Sequence, residues 1–438
     1  MPKIVIIGAG SGFGGRLSID ILSRPPLRDS TIALCDINPE LLEGAARYVQ
    51  RVIDAYHLPA KLASGVDRKE LLPGADFVAT AISVGGPAYA GRPFADEINI
   101  PMKYGVDQRV GDTIGPGGVF RALRTGPVQL EFCRDIERFC PDALLLNYTN
   151  PMAMLTWIHS AGSRVRNVGL CHSVQGTSEE IARYAGVPVE ECSFLVAGIN
   201  HQAWFLRFDH KGRDAYPLLR RAMENPDILK KDTVRFEMMR HFGHFITEST
   251  VHNSEYVPYF RRTPELRERF CLDSRTVPPE PPAKSRRAWA QGASGGEAPV
   301  PPLGASKEFA SAIIEACVTN VPFRINGNVM NRGLITNLPE GCCVEVPCMV
   351  DAQGVHPCYV GDLPPQCAAI NRSNIAVHEL TARAVLDRDR QAAFHAVALD
   401  PLTAAVLPLH KIREMFEEMW AAEKHLLTWF EGSPSQPE

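Results

Sequence analysis

Residues 1–192 predict a doubly wound parallel α/β domain, and residues 193–438 a second, mixed α/β domain. Three observations carry the first expectation. Apolar segments without polar alternation recur with helix-compatible stretches between them, the pattern of parallel strands covered on both faces. The foremost segment runs into a glycine-rich turn, "IVIIGAGSGFGG" (4–15). The next ends on an acid, Asp36, in "LCDINPE" (34–40).

Taken in order, the predicted strands are "KIVIIGAG" (3–10), "TIALCDI" (31–37), "DFVATAIS" (76–83), "ALLLNYTNP" (143–151) and "VRNVGLCHS" (165–173), with helices over 39–56 and 126–139. Past residue 190 the pattern changes. "CSFLVAGINH" (192–201) and "AWFLRFDH" (203–210) are strands that either pair or stand apart. "FRINGNVMN" (323–331) with "LITNLP" (334–339), and "CCVEVPCMVD" (342–351) with "GVHPCYV" (354–360), read as antiparallel pairs joined by Gly and Asn turns. Helical stretches over 367–396 and 409–431 close the chain. Residues 276–305 are rich in Pro, Gly and Ala, lack periodicity and read as a long surface loop.

Composition bounds the class. A chain of 438 residues, 45% hydrophobic and 22% charged, is an ordinary globular protein long enough for large cores. Its net charge of −4 gives no drive toward nucleic acid or an anionic membrane. No apolar run approaches the ~20 residues that span a bilayer, and no export signal is legible. Twelve cysteines scattered through the chain therefore read as reduced thiols in the cytoplasm.

The glycine turn has a physical use. Gly8 permits the tight turn, Gly10 lets the backbone approach a pyrophosphate, and the helix that opens at Ser11 and Phe13 offers free amides to the anion. The third glycine of a G-x-G-x-x-G pattern is replaced by Phe13, with Gly14 and Gly15 following. Asp36 stands where a carboxylate accepts from the ribose hydroxyls, which favours NAD over its 2′-phosphorylated form. The competing reading is that Asp36 or Asn38 caps the helix starting near Pro39.

Ligands of such a fold bind beyond the carboxyl ends of the strands. "NYTNP" (147–151) and "LCHS" (170–173) lie there, so Asn150, Cys171 and His172 face the cofactor cleft. Thiolate and imidazole suit a divalent transition metal, and Cys171 with His201 of "INH" supplies two such donors. The bland alternatives are a buried, apolar cysteine and an ordinary hydrogen-bonded turn. Asp112 in "GDTIGPGG" is equally a sugar-hydroxyl acceptor or the cap of the following turn.

A resemblance carried by long motifs then decides the reading of Cys171 and His201. "DTIGPGGVFRALRT" (112–125), "PDALLLNYTNPMAM" (141–154), "VGLCHSVQGT" (168–177), "AGINHQAWF" (197–205) and "GNVMNRGLITNLPEGCCVEVPCMVD" (327–351) resemble the family 4 glycoside hydrolases. The likeness is to the melibiase-type α-galactosidase branch, and it spans nearly the whole chain outside 276–305. That family is an exception to the two-carboxylate scheme of glycosidases. The resemblance implies a lactate/malate-dehydrogenase-like, Rossmann-type first domain that keeps NAD⁺ bound as a transient oxidant of sugar C3. Mn²⁺ or another divalent metal on Cys171 and His201 polarises the resulting ketone. Loss of the C2 proton, elimination at C1, addition of water and return of the hydride complete a net hydrolysis.

By the same resemblance Asn150 binds the sugar and His172 occupies the position of the acid. Tyr256 is the leading candidate for the base, with Glu248 second and Tyr259 third. "CHSV" points to α-galactosides such as melibiose; α-glucosidase and α-glucuronidase specificities of the same family are the alternatives. A homodimer or homotetramer is expected, with a small-molecule α-glycoside as substrate. Outside the family, the rivals are a malate/lactate-type dehydrogenase and a non-catalytic sugar or redox sensor.

Overall fold

The computed structural model describes residues 1–281 and 300–431. Most of the expected 276–305 loop thus lies outside the described residues. The strands are β1 (Lys3–Ile7), β2 (Thr31–Cys35), β3 (Lys61–Gly65), β4 (Phe77–Thr80), β5 (Leu144–Asn147), β6 (Arg166–Gly169), β7 (Cys192–Ile199), β8 (Gln202–His210), β9 (Arg213–Asp214), β10 (Phe323–Met330), β11 (Cys343–Asp351) and β12 (Gly354–Pro357). Among the described residues they form one sheet in the order β3-β2-β1-β4-β5-β6-β10-β11-β7-β8-β9, with β12 paired to β11.

The first six strands are parallel in the order 3-2-1-4-5-6, that of dinucleotide-binding sheets. Why the apolar runs lack alternation is visible in β1. Ile4 and Ile6 enter the large core on one face, while Val5 and Ile7 enter a second core on the other. Each fully buried aliphatic side chain contributes about 1.5–3 kcal/mol. Helices Gly12–Ser23, Pro39–Ala55, Gly115–Phe139 and Met152–Gly162 supply cover.

The second half continues the same sheet in antiparallel sense. β6 meets β10 through the pair Gly169–Asn328, and β11 meets β7 through Glu345–Gly198. β7 and β8 do pair, as a tight hairpin turning at Asn200-His201. One predicted pairing is corrected: β10 pairs with β11, and 334–339 is turn rather than strand. The pairing of 343–351 with 354–357 stands. The helix expected from residue 126 begins at Gly115, because "GPGG" reads as a turn. Here Pro116 instead occupies the first turn, where its missing N–H costs nothing. All twelve cysteines carry free thiols. No helix among the described residues is long and apolar enough to cross a membrane.

Candidate active site

The glycine turn closes on itself through steric necessity. Gly8 has φ +89, and a Cβ there would lie 2.2 Å from Ala81 O at the end of β4. A Cβ on Gly14 would lie 2.5 Å from Ala9 Cα. The strand-to-helix packing role therefore falls on Gly14, one residue later than the strict spacing. Phe13, in the vacated position, packs its ring 4.7 Å from that of Tyr148. Ser11 precedes the helix without capping it; its hydroxyl donates to Gly8 O at 2.8 Å. The first turn has no acid and keeps its amides uncapped, which suits a pyrophosphate.

Asp36 accepts from Gly10 N (2.8 Å) and Asn38 N (2.9 Å), fixing the turn from the end of β2. Capping of helix Pro39–Ala55 is done by Asn38, whose side chain accepts from Leu41 N. Glycine turn, uncapped helix and carboxylate together fit a dinucleotide with a free ribose 2′-hydroxyl.

The strand end after β6 and the β7–β8 turn converge on one point. Cys171 Sγ lies 3.2 Å from His201 Nε2. Glu248 Oε2 is 3.7 Å from the same nitrogen, and Glu248 Oε1 is 3.8 Å from His252 Nδ1. His252 Nε2 is in turn 3.3 Å from Asp112 Oδ1 and 2.8 Å from Thr113 Oγ1. Asp112 Oδ2 accepts from Asn150 Nδ2 (2.9 Å) and from the Tyr89 hydroxyl (2.8 Å). The site is thus a largely buried row of acids and bases, Asp112–His252–Glu248–His201, ending on the partly exposed Cys171 thiol. His201 and Glu248 hold left-handed backbones, φ +61 and +73, at about 1–2 kcal/mol each. Their neighbours hold them there: Asn253 Nδ2 donates to His201 O at 3.3 Å, and the buried Arg235 donates to Glu248 O.

Alternating charge sets the protonation states. Burial raises the Cys171 thiol, but the charge and hydrogen bond of His201 outweigh it and bring it down to about 7. Burial opposes ionisation of Glu248 too, and the imidazoles of His201 and His252 still hold it well below the usual carboxylate range. Asp112 is lowered in the same way, burial being outweighed by the His252 hydrogen bond and charge. His252 is raised well above the ordinary imidazole value, as its two carboxylates overcome burial. A thiolate, an imidazole and a carboxylate at these separations form a donor set suited to a divalent transition metal. The ligand atoms of His201, Glu248 and His252 lie within 4.8 Å of one another.

Other predicted residues fall in different places. His172 stands at the rim with 67% of its side chain exposed; its Nδ1 lies 3.3 Å from Glu308 Oε1. That hydrogen bond raises it to about 9, making it a proton carrier at neutral pH. Tyr256 does not reach the Cys171–His201 pair. Its phenol is buried and its hydroxyl donates to Thr113 Oγ1 at 2.7 Å; burial pushes it well above the usual phenol value. The phenol of Tyr256, expected as the base, is thus engaged with Thr113 rather than with the Cys171–His201 pair. Tyr259 is exposed and packs near Phe242, outside the cluster. Asp112 does not cap the following helix, whose N-cap is Ile114 without a side-chain bond.

Sequence reasoning missed His252, Thr113, Tyr89 and Glu345. Only the spacing of His252, four residues after Glu248, hinted at a shared face. Glu345 on β11 is fully buried with both carboxyl oxygens free of hydrogen bonds. Burial, reinforced by the charges of Cys171 and Glu248, pushes it well above the carboxylate range. A cavity of about 440 Å³ lies elsewhere, lined by Met1, Asp76, Phe77, Asp142 and Arg166, and contains none of these residues.

The geometry can be set beside known proteins. Residues 3–187 match the model for "Family 4 glycosyl hydrolase", and residues 196–403 that for "Family 4 glycosyl hydrolase C-terminal domain". An α-galactosidase of Bacillus subtilis (strain 168) is 40% identical over 96% of this chain and 98% of its own. An α-galactosidase of Rhizobium meliloti (strain 1021) is 37% identical over 96% of this chain and 88% of its own. The fold is similar to that of a Thermotoga maritima 6-phospho-β-glucosidase solved with manganese, NAD⁺ and glucose-6-phosphate. That structure has a TM-score of 0.80 and 20% identity, covering 97% of this chain and 99% of that one.

Proposed function

The chain belongs to the family 4 glycosyl hydrolases, and from that premise we propose that it hydrolyses α-galactosides such as melibiose, with NAD and Mn²⁺ or another divalent metal bound. The observation that carries the reading is the 3.2 Å approach of Cys171 Sγ to His201 Nε2, in a chain 40% identical to an α-galactosidase. When bound, NAD⁺ supplies a reversible oxidant for a ring carbon, and the metal a Lewis acid for the neighbouring oxygen. Gly8, Gly10, Ser11, Phe13 and Asp36 would form the cofactor turn, and Cys171 and His201 would hold the metal.

The chain's own groups do the rest. Asn150 and Asp112, bonded to each other, present an amide and a carboxylate to neutral sugar hydroxyls. A lowered carboxylate at Asp112 repels a 6-phosphate or a uronate, which supports a neutral hexose. Glu248, 24% exposed and 3.7 Å from His201 Nε2, is the carboxylate placed to accept the proton from the ring carbon. His172 carries a proton at the rim, where the leaving oxygen departs. The free thiols support a reducing, cytoplasmic setting, and the reading includes a homodimer or homotetramer.

The test is a panel of para-nitrophenyl α-glycosides, assayed with and without NAD⁺, Mn²⁺ and a thiol reductant. The α-galactoside should be cleaved fastest, and a chelator should abolish the rate. Preference for the α-glucoside or α-glucuronide would overturn the sugar assignment. Cleavage of none would overturn the activity.

A further inference from the structure

Residues 106–114, which carry Asp112 and Thr113 to the site, form neither helix nor strand, so their amides need partners outside any ladder. Three in a row find the same one. Arg109 N and Val110 N donate to Glu255 Oε1 at 2.6 and 2.8 Å, and Gly111 N donates to Glu255 Oε2 at 2.9 Å. Successive N–H groups turned to one side make a concavity that takes an anion, and here the chain supplies the anion itself. Glu255 is fully buried, and its described bonds are to these amides rather than to a basic side chain. The neighbouring parts of the loop are pinned separately: Asp107 accepts from Arg261 Nη1 at 2.7 Å, and Gln108 Nε2 donates to Ile114 O at 2.9 Å. Gly111 holds φ +54, so the chain turns at the residue bound by Oε2, directly before Asp112.

We infer that Glu255 is a positioning residue for sugar binding: its carboxylate clamps the 109–111 backbone and so sets where Asp112 stands beside Asn150. The inference rests on the proposed activity for the part that Asp112 plays with the sugar; the clamp itself is a property of the chain. Connectivity gives the direction of the effect. The segment that carries Glu255 has anchors of its own: Arg261 Nε donates to Ser254 Oγ at 2.6 Å, and Asn374 Nδ2 donates to Tyr256 O at 3.1 Å. Between Gln108 and Asp112 the backbone amides bond to Glu255 alone among the described residues. Loss of the clamp therefore loosens the loop that ends on Asp112 and leaves the Cys171–His201 pair where it is.

Two conservative variants test the clamp. Glu255→Gln keeps the shape but has one acceptor oxygen; with that oxygen on Arg109 and Val110, its NH₂ faces the Gly111 N–H, donor against donor. Glu255→Asp keeps the charge and is one methylene too short to span three amides. On the full chain with NAD⁺ bound, the readouts are kcat and KM for the para-nitrophenyl α-galactoside, Mn²⁺ affinity by calorimetry, and the melting temperature.

Both variants should raise KM about tenfold, as loss of one hydrogen bond to a charged group predicts, with kcat within about threefold and Mn²⁺ affinity within about twofold of wild type. A wild-type KM in the Gln variant, or equal losses in KM, kcat and Mn²⁺ affinity, would overturn the inference. So would a KM rise in the Gln variant with none in the Asp variant, which marks the charge rather than the clamp. Unfolding of both variants at the assay temperature would make Glu255 part of the scaffold alone and overturn it too. Should the wild type cleave no α-glycoside, the activity proposal fails, and amide hydrogen exchange then decides the inference. Faster exchange over 109–113 in the Gln variant, with the segment around Cys171 unchanged, supports the clamp, and any other pattern rejects it.

Discussion

Glu248 and Tyr256 sit eight residues apart and meet opposite environments. The carboxylate is ionised and faces His201, whereas the phenol is sealed against Thr113. Tyr256→Phe should therefore keep kcat within about fivefold and cost about 1 kcal/mol of stability from the lost hydrogen bond. Glu248→Gln should lower kcat by about 10²–10⁴, the usual worth of a general base. Steady-state kinetics on both variants checks this, and a larger loss in the Phe variant would return the role to Tyr256. At this scale the sequence was legible where chemistry sits inside long motifs, as with Cys171, His201, Asn150 and Asp112. It was silent on His252, a single histidine in a helical turn of four residues, too short for any periodicity to show. The inaccessibility of Tyr256 also escaped, because burial of a phenol depends on contacts with Thr113, 143 residues away.

Among elements, the turn after β1 separates local from tertiary information. The pattern G-x-G was readable, but the displaced packing contact of Gly14 on Ala9 needed coordinates. Gly14→Ala forces a Cβ onto the backbone of Ala9 and should cost about 1–3 kcal/mol, since backbone cannot yield as a flexible side chain does. NAD⁺ affinity should fall with it, because the helix that offers its amides moves. Calorimetric titration with NAD⁺ and a thermal melt measure both, and wild-type affinity in the variant would contradict the assignment. Strands β1, β2, β4 and β5 were legible because both their faces are buried and little polar alternation intrudes, and β6 from its buried end at Val168-Gly169. β3, "KLASG", was not: it lies at the edge, half exposed, with no apolar run. The β10–β11 pairing was missed because the intervening 331–342 folds as a loop around Asn331. The Asn331 amide donates to Ile335 O and Pro339 O, and no hairpin signal marks it.

Over the whole molecule, one sheet carries the cofactor turn on its parallel half. The β7–β8 hairpin of its antiparallel half brings His201 to Cys171. Two of the helices that cover it pack together and each buries a histidine, His159 on Met152–Gly162 and His378 on Pro365–Asp387. Burial lowers both to about 3. Below about 6.5 the unfolded chain takes up protons that the folded chain refuses, so their contribution is complete above 6.5 and lost as pH falls toward 3. Each imidazole should account for about 1.4 kcal/mol per pH unit within that window. Urea unfolding between pH 7 and 5 should show a shallower fall for His159→Leu than for the wild type, and parallel curves would contradict the sign.

The central claim is that a redox cofactor and a thiolate-held cation together cut a glycoside without net oxidation. Its most direct test follows NADH absorbance and released galactose together in the chain loaded with NAD⁺ and Mn²⁺. Many turnovers of galactose with no accumulating NADH, and loss of both metal and rate in Cys171→Ser, are the predicted result. Accumulation of one NADH per sugar, or undiminished cleavage by the Cys171→Ser chain after chelation, would contradict it.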